Sequence, residues 1–265
     1  MTRDDSEGPH LTSMKLKTAL VTGGAARIGA AIASDLADHD FAVAIHSHRS
    51  TGQAEALADS IRAKGGRATV VLGDLTKSAD CRKIVAQAID ALGPLDLLVN
   101  NASIFAEDSI TDLDEDVFDR HFAVHVKAPS ILIGDFARQL PVDRHGLVVN
   151  IIDQRVWALT PRFYSYTLSK AALWTATQTL AQGLAPRIRV NAIGPGPTLK
   201  SSAQTDADFA AQIDGVILKT GPMLPEFGQT IRFLFDTPSI TGQMIALDGG
   251  QHLAWQTPDI AEINE

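Results

Sequence analysis

Short apolar runs alternate with longer amphipathic segments along most of the chain. The first half contains four such runs: TALVTG, FAVAIHS, ATVVLGD and LDLLVNNAS. After each of the first three, apolar residues recur at helical spacing. Runs of this length, separated by helices, are typical of strands in a parallel sheet built from βαβ units. The first half therefore predicts four parallel strands joined by helices.

The second half continues the same rhythm. We predict a long helix over residues 116–140, a buried strand in GLVVNIID, a helix over 164–183, and the last two strands in IRVNAIGPG and QMIALDGG. With no repeat beyond this rhythm and no linker, the chain is expected to form one α/β domain over residues 15–265, after a flexible leader at residues 1–14.

The pattern weakens between residues 197 and 235, where the polar LKSSAQTDADFAAQ precedes KTGPMLPEFG. A segment of this kind between the last two strands has two interpretations. It forms a lid over a site, or it is an irregular surface excursion with no gating role.

Composition narrows the classes of function. A chain of 265 residues that is 45% hydrophobic and 20% charged can bury one sizeable core. A net charge of −8 argues against a general affinity for nucleic acid or anionic membranes, and no apolar run approaches the roughly 20 residues of a membrane span. The single cysteine, Cys81, excludes an internal disulfide, so we expect a cytoplasmic protein.

The segment VTGGAARIG joins the first strand to the first helix. Glycines such as Gly23 allow a tight turn there, and the free N–H groups at the start of the helix favour a pyrophosphate. We expect Gly23, Arg27 and Ile28 to contact a dinucleotide, with Arg27 reaching its phosphates.

The end of the second strand selects the nucleotide. NAD enzymes usually carry an acid there for the ribose 2′-hydroxyl, but this chain reads AIHSHRS. His48, Arg49 and Ser50 offer the donors that a 2′-phosphate needs, which predicts NADP(H) as the cofactor. The alternative is that they are solvated loop residues.

Two further strand ends carry candidate cofactor contacts. Asp74 and Leu75 follow the third strand, where Asp74 either meets the adenine edge or serves as a helix cap or turn residue. Asn101, Ala102 and Ser103 close the fourth strand at the carboxyl edge, where ligands of open α/β sheets bind.

Tyr166 and Lys170 lie four residues apart and so share one face of the predicted helix. An ammonium about 5 Å from a phenol, at an effective dielectric near 20, favours the phenolate by about 3 kcal/mol, or roughly two pKa units. We therefore expect Tyr166 to act as an acid near neutral pH, with Lys170 lowering its pKa.

Five segments together resemble the short-chain dehydrogenase/reductase family: TGGAARIG, NNAS, YTLSK, GPGPT and DGG. The resemblance covers nearly the whole chain after the leader. It implies a single-domain, doubly wound Rossmann fold with a mostly parallel seven-stranded sheet, helices on both faces, and a homotetramer. It also implies that Tyr166 donates a proton while the dihydronicotinamide gives hydride, that Lys170 holds the nicotinamide ribose, and that Pro195, Gly196 and Thr198 support the carboxamide.

Two positions depart from the family's usual pattern. Asp153 stands where the family commonly has a serine, thirteen residues before the tyrosine, and His125 stands where it commonly has an asparagine. That asparagine helps to hold a water in the proton relay. His125 either takes this role or is purely structural.

Within the family the chain resembles the pteridine reductases and dihydromonapterin reductases. The shared features are Arg27 in the glycine turn, HSHRS after the second strand, an aromatic residue after NNAS, and Asp153. The resemblance implies that Arg27 and Phe105 flank a pterin, that Phe105 stacks on its ring, and that Asp153 and Tyr166 face its reducible edge. The alternatives are a core position for Phe105 and a helix-capping role for Asp153.

An acid suits a pterin better than a ketone. A ketone needs a hydrogen-bond donor beside its oxygen, and an ionised aspartate only accepts, whereas a pterin ring carries amino and N–H donors. The acid would donate to a carbonyl only if burial kept it protonated. We expect NADPH-dependent reduction of a C=N bond in a dihydropterin-like substrate, with no metal. The alternatives are a carbonyl reductase acting on 3-oxoacyl or sugar-alcohol substrates, and a nucleotide-binding scaffold without turnover.

Overall fold

A computed structural model describes residues 16–201 and 204–255, so the predicted leader lies outside the described residues. Its seven strands are β1 Lys17–Val21, β2 Phe41–Ser47, β3 Ala68–Leu72, β4 Leu97–Asn100, β5 Gly146–Ile151, β6 Ile188–Pro195 and β7 Met244–Leu247. They form one sheet in the order β3-β2-β1-β4-β5-β6-β7, and every neighbouring pair is parallel. The predicted seven-stranded Rossmann-type fold is confirmed, and its sheet is wholly rather than mostly parallel.

In the described part of the chain, eight α-helices connect and cover the strands. They are α1 Arg27–Ala37, α2 Thr51–Ala63, α3 Ser78–Leu92, α4 Glu115–Phe122, α5 Ala128–Gln139, α6 Tyr164–Leu184, α7 Asp206–Asp214 and α8 Leu224–Asp236. Two separate apolar clusters bury the two faces of the sheet. One contains Ile32 of α1 and Ile231 of α8, and the other contains Ile84 of α3 and Phe136 of α5. No helix among the described residues is long and apolar enough to cross a membrane.

The helix predicted over residues 116–140 is interrupted. A π-helical turn, Ala123–Lys127, separates α4 from α5. Pro129 stands in the first turn of α5 and has no N–H to donate to the turn before it, so an unbroken α-helix is unfavourable here. The π-helical turn carries His125, and turns of this kind often occur at functional sites.

The weakly patterned stretch from 197 to 235 contains α7 and α8. The prediction of a lid is wrong for α8, because Phe227, Ile231 and Leu234 are fully buried and pack in the same cluster as α1. Arg232 of α8 also donates to Asp35 of α1 at 2.8 Å. Helix α7 has no buried residue, and the lid remains a prediction for this part only.

The sheet's switch point lies between β1 and β4, where connections leave in opposite directions and a crevice opens at the carboxyl ends. The Thr22 hydroxyl accepts from the backbone N–H groups of Asn101 and Ala102, at 2.9 and 3.1 Å. The Asn101 amide in turn donates to the carbonyls of Thr22 and Gly23, at 2.9 and 3.1 Å. These bonds fix the glycine turn against the end of β4.

Candidate active site

A cleft of about 1030 Å³ opens at the carboxyl edge of the sheet. It brings together most of the residues predicted from sequence: Arg27, Ile28, Asn101, Ser103, Phe105, Asp153, Tyr166, Lys170, Pro195, Gly196 and Thr198. From α7, Asp208, Phe209 and Gln212 also line it. The predicted catalytic and substrate-binding residues therefore share one cavity.

The other predicted residues lie outside the lining of this cleft: Gly23, His48, Arg49, Ser50, Asp74, Leu75 and Ala102. They follow the carboxyl ends of β1 to β4, so they share the cleft's edge of the sheet. The predicted turn role of Asp74 is observed, because its carboxylate accepts from the backbone N–H and the hydroxyl of Thr76 at 3.0 and 2.7 Å. It also lies 3.7 Å from Nε2 of His48.

The glycine turn has room only for glycine at two positions. Gly23 has φ +60°, and a Cβ there would lie 2.9 Å from Cα of Ala102. A Cβ on Gly29 would lie 2.1 Å from the carbonyl oxygen of Gly23. Ala26, the residue before α1, gives no side-chain cap, and the first turn of α1 carries no acid. The free N–H groups at this helix start therefore suit an anionic group.

Arg27 also lies at this turn, with φ +52°. Its guanidinium donates to the backbone carbonyls of Leu199 and Lys200 at 3.3 Å. It therefore connects the glycine turn with the segment after β6 across the mouth of the cleft.

His46, on β2, supports the glycine turn and was not identified from sequence. Its Nδ1 accepts from the Gly23 N–H at 3.1 Å, which leaves Nε2–H to donate to the Gly73 carbonyl, also at 3.1 Å. Burial lowers the pKa of His46 to about 4, so the ring stays neutral. Its position inside an apolar run was the available signal, because a buried histidine needs partners for both nitrogens.

Asp153 and Tyr166 form the centre of the site. The Tyr166 hydroxyl donates to Oδ2 of Asp153 at 2.8 Å, while Oδ1 accepts from the backbone N–H of Arg155 at 2.9 Å. Asp153 thus caps the short 3-10 turn Gln154–Val156 and also bonds the phenol. The two roles that the sequence offered for Asp153 are compatible, because each uses one oxygen.

The lowered pKa that the spacing to Lys170 predicted for Tyr166 is not observed. Burial raises the pKa of Tyr166 well above 10, and the nearby charge and hydrogen bond of Asp153 raise it further. The Lys170 amine lies 5.7 Å from the centre of the phenol ring and donates to the Ile151 carbonyl at 3.0 Å. Burial lowers the pKa of Lys170 to about 8. The phenol is therefore held protonated and bonded to the carboxylate.

His125 lies behind the phenol, with its ring centre 5.4 Å from that of Tyr166. Its Nε2 accepts from the Ile104 N–H at 3.2 Å and lies 2.9 Å from the Ser103 hydroxyl. The ring proton is therefore on Nδ1, which donates to Ser169 at 2.8 Å. Burial lowers the pKa of His125 well below 6.5. Because both nitrogens have protein partners, this geometry favours the structural role over the water relay.

His121 repeats this arrangement one turn earlier and was also missed. Its Nδ1 lies 2.7 Å from the Ser165 hydroxyl, and its Nε2 accepts from the Ala106 N–H at 3.4 Å. The two imidazoles stack with their centres 5.5 Å apart. The signal was a pair of matched spacings, since His121 and His125 are four residues apart and so are their serines. Together they join α6 to the segment that carries Ser103 and Phe105.

Phe105 lies at the cleft and not in the core, since 47% of its surface is exposed. Its ring stacks on Phe163 at 4.3 Å and meets Tyr166 edge-on at 4.8 Å. Phe163 has φ +56° and precedes α6, a position that sequence reasoning did not identify. The guanidinium of Arg155 lies 5.4 and 5.2 Å from the centres of the two phenylalanine rings.

Comparison with known proteins agrees with this geometry. The family model for short chain dehydrogenases matches residues 17–210, which is most of the chain. The chain belongs to the short-chain dehydrogenase family. It is therefore an oxidoreductase by family, as the sequence predicted.

Two solved structures and one curated relative illustrate its range of similarity. The crystal structure of FolM alternative dihydrofolate reductase 1 from Brucella canis, complexed with NADP, is 61% identical, with a TM-score of 0.90 over 92% of this chain and 97% of that one. A blue fluorescent protein from a metagenomic library, in complex with NADPH, is 32% identical, with a TM-score of 0.83 over 89% of this chain and 97% of that one. A 3-oxoacyl-[acyl-carrier-protein] reductase, FabG from Staphylococcus aureus, is 30% identical over 89% of this chain and 98% of the relative.

Proposed function

We propose that this short-chain dehydrogenase is an NADPH-dependent reductase of a C=N bond in a pterin-like substrate, with Tyr166 as the proton donor. The observation that carries the proposal is the 2.8 Å hydrogen bond from Tyr166 to Asp153 in a cleft that also contains Phe105. The similarity to a FolM alternative dihydrofolate reductase at 61% identity supports it.

The described residues suit a phosphorylated dinucleotide. The glycine turn accepts a pyrophosphate, and the exposed loop residues His48, Arg49 and Ser50 offer donors to a 2′-phosphate. Bound NADPH would supply the hydride. Asp74, Leu75, Asn101, Ala102 and Ser103 are proposed to line the adenosine and ribose side, and Lys170, Pro195, Gly196 and Thr198 the nicotinamide side. Similar proteins crystallised with NADP or NADPH support this choice.

The chemistry follows from the state of the Asp153 and Tyr166 pair. Tyr166 keeps its proton because burial and the adjacent carboxylate disfavour the phenolate. A ring nitrogen that gains electrons becomes basic enough to take this proton, and Asp153 accepts hydrogen bonds from the ring's donors. We propose that Phe105 and Arg27 flank the ring. We also propose that the positive charge of Lys170 offsets the negative charge that Tyr166 acquires when it gives up its proton.

A second candidate is carbonyl reduction, which is favoured by the similarity to 3-oxoacyl reductases of the FabG type. A ketone oxygen needs a donor next to the phenol. Asp153 already accepts from Tyr166 with one oxygen and from a backbone N–H with the other, so it offers no donor there. A nucleotide-binding scaffold without turnover would not require the buried Tyr166 and Lys170.

We also infer a cytoplasmic homotetramer. The family resemblance supports the assembly, and the single cysteine supports the location. Light scattering of the purified protein tests the assembly directly, with four copies expected and a monomer contradicting it.

The proposed function is tested with a substrate panel. Purified protein is given NADPH or NADH together with a dihydropterin, a 3-oxoacyl thioester or a polyol-derived ketone, and nucleotide oxidation is followed. We expect the highest kcat/KM with NADPH and the dihydropterin, and its loss in Tyr166→Phe. A higher kcat/KM on the thioester contradicts the proposal. Binding of NADPH without reduction of any substrate supports the scaffold.

A further inference from the structure

A side pocket of about 330 Å³ adjoins the substrate cleft. The two share Gln154, Arg155, Arg162, Phe163 and Gln251, and only Ala158 and Thr160 belong to the side pocket alone. The cleft therefore continues past Phe163 into a second space. A ligand bound beside Phe105 can extend in this direction, because Phe163 packs on Phe105 at 4.3 Å and lines both spaces.

The charged residues that line the side pocket are both arginines. The guanidiniums of Arg155 and Arg162 lie 5.2 and 5.5 Å from the centre of the Phe163 ring. A guanidinium within about 6 Å of an aromatic ring is attracted by it, and its N–H groups remain able to make a bidentate contact with a carboxylate. The two side chains are thus held near Phe163, at the edge of the side pocket.

Arg155 retains unused hydrogen-bonding capacity. Its side chain is only 22% exposed, and the nearest acid is Asp153, whose Oδ2 lies 3.8 Å from Nη1. That oxygen already accepts from Tyr166. Within the two described ranges, the Arg155 guanidinium makes no hydrogen bond to the protein, although it carries five donors.

Arg162 is held by an exchangeable partner. It donates to Glu107 at 2.9 and 3.2 Å, and the two side chains are 70% and 60% exposed. Exposed ion pairs of this kind are weak, so an incoming carboxylate competes with Glu107 at little cost.

From these contacts we infer that Arg155 and Arg162 bind a carboxylate-bearing tail of the substrate. The side pocket then selects pterins with an anionic extension, such as the glutamate of dihydrofolate, over pterins with short neutral substituents. This inference rests on the proposed function. It assigns Arg155 and Arg162 as specificity-determining residues, with Glu107 as the group that a bound tail displaces.

The test compares two ligands that share a ring and differ in the tail. Folate and 6-methylpterin are titrated by calorimetry into protein saturated with NADP⁺, where no reduction takes place. Loss of a charge-assisted bond corresponds to about a tenfold or larger change in Kd. We expect Arg155→Gln and Arg162→Gln each to raise the Kd for folate by about this factor. The Kd for 6-methylpterin should stay within about twofold of the wild-type value.

Opposite and matched variants complete the design. Glu107→Gln releases Arg162 and is expected to tighten folate binding. Arg120 is an exposed arginine on α4, and Arg120→Gln is expected to change the affinity for neither ligand. Added salt should reduce the preference for folate in the wild type.

Two outcomes overturn the inference. Either the arginine variants lose affinity for folate and 6-methylpterin to the same extent, or they lose affinity for neither. A steady-state arm, in which the wild type and the arginine variants reduce dihydrofolate and 6-methyl-7,8-dihydropterin with NADPH, separates this failure from failure of the proposed function. If the wild type reduces the dihydropterins but the variants change KM for both to the same extent, only the tail pocket is rejected. If the wild type reduces no pterin, the proposed function fails as well.

Discussion

At the scale of single residues, Asp153 determines how the phenol behaves. Its Oδ2 accepts from Tyr166 and its Oδ1 accepts from a backbone N–H, so the carboxylate is fixed at both oxygens. Its negative charge then adds to burial in raising the pKa of Tyr166. Lys170 has a smaller influence than its spacing suggests, because its own amine is buried and bonded to a carbonyl.

Asp153→Asn is expected to lower the pKa of Tyr166 relative to the wild type, because the neighbouring negative charge is removed while burial remains. The chain has two tyrosines, so a Tyr164→Phe background leaves Tyr166 as the only phenol. Phenolate absorbance at alkaline pH measures the shift. Asp208→Asn, at the exposed rim of the cleft, serves as the control and should leave the titration unchanged. An unchanged or higher pKa in Asp153→Asn would show that the carboxylate does not act on the phenol.

At the scale of elements, α8 packs closely against α1 although its sequence pattern is weak. Gly228 faces α1, and a Cβ there would lie 2.4 Å from Cβ of Asp35. Asp35 cannot move away freely, because Arg232 donates to it at 2.8 Å. The apolar spacing of Phe227, Ile231 and Leu234 is helical, but Pro225 in the first turn of α8 obscured the helix in the sequence.

Gly228→Ala is expected to reduce the free energy of unfolding by about 1–3 kcal/mol, because the added methyl group overpacks the contact between α1 and α8. Gly183→Ala provides the matched control, since Gly183 is exposed near the end of α6 and a Cβ there meets nothing within 4 Å. That change should stabilise the helix by about 0.5–1 kcal/mol. Urea unfolding measures both, and a stabilised Gly228→Ala would contradict the packing.

At the scale of the whole molecule, the strands were predictable and the contacts between distant segments were not. Strand β2 is buried at every position, so its apolar run identified it. The motifs likewise located Asp153, Tyr166 and Lys170. Phe163 and Arg155 were missed because their roles depend on a left-handed backbone at Phe163 and on ring stacking, which leave no periodic signal. His121 was missed because its partners lie on another helix and another loop.

Buried neutral histidines make the stability of the whole molecule sensitive to acid. Burial depresses the pKa values of His46, His121 and His125 in the folded state. As pH falls below 6.5, the unfolded chain binds protons at these rings before the folded chain does, so the free energy of unfolding decreases. For His46, whose pKa falls from 6.5 to about 4, the loss across this window is about 3 kcal/mol.

Urea unfolding at several pH values between 7.5 and 4 measures this loss. His46→Gln is expected to be less stable at neutral pH but to lose less stability on acidification, because one of the three rings is gone. His145→Asn, an exposed position, should retain the wild-type slope. If the free energy of unfolding fell equally steeply with pH in His46→Gln and in the wild type, the role of His46 in acid sensitivity would be contradicted.

The most direct test of the central claim compares substrate preference in the wild type and Asp153→Ser. The claim is that an acceptor beside Tyr166 selects a nitrogen ring over a ketone. The measurement is the ratio of kcat/KM for a dihydropterin to kcat/KM for a 3-oxoacyl thioester, with NADPH affinity followed by fluorescence to confirm that the variant is folded. We expect this ratio to fall by about 100-fold in Asp153→Ser, since a charged acceptor is exchanged for a donor. Equal turnover of the dihydropterin by the two proteins would contradict the claim.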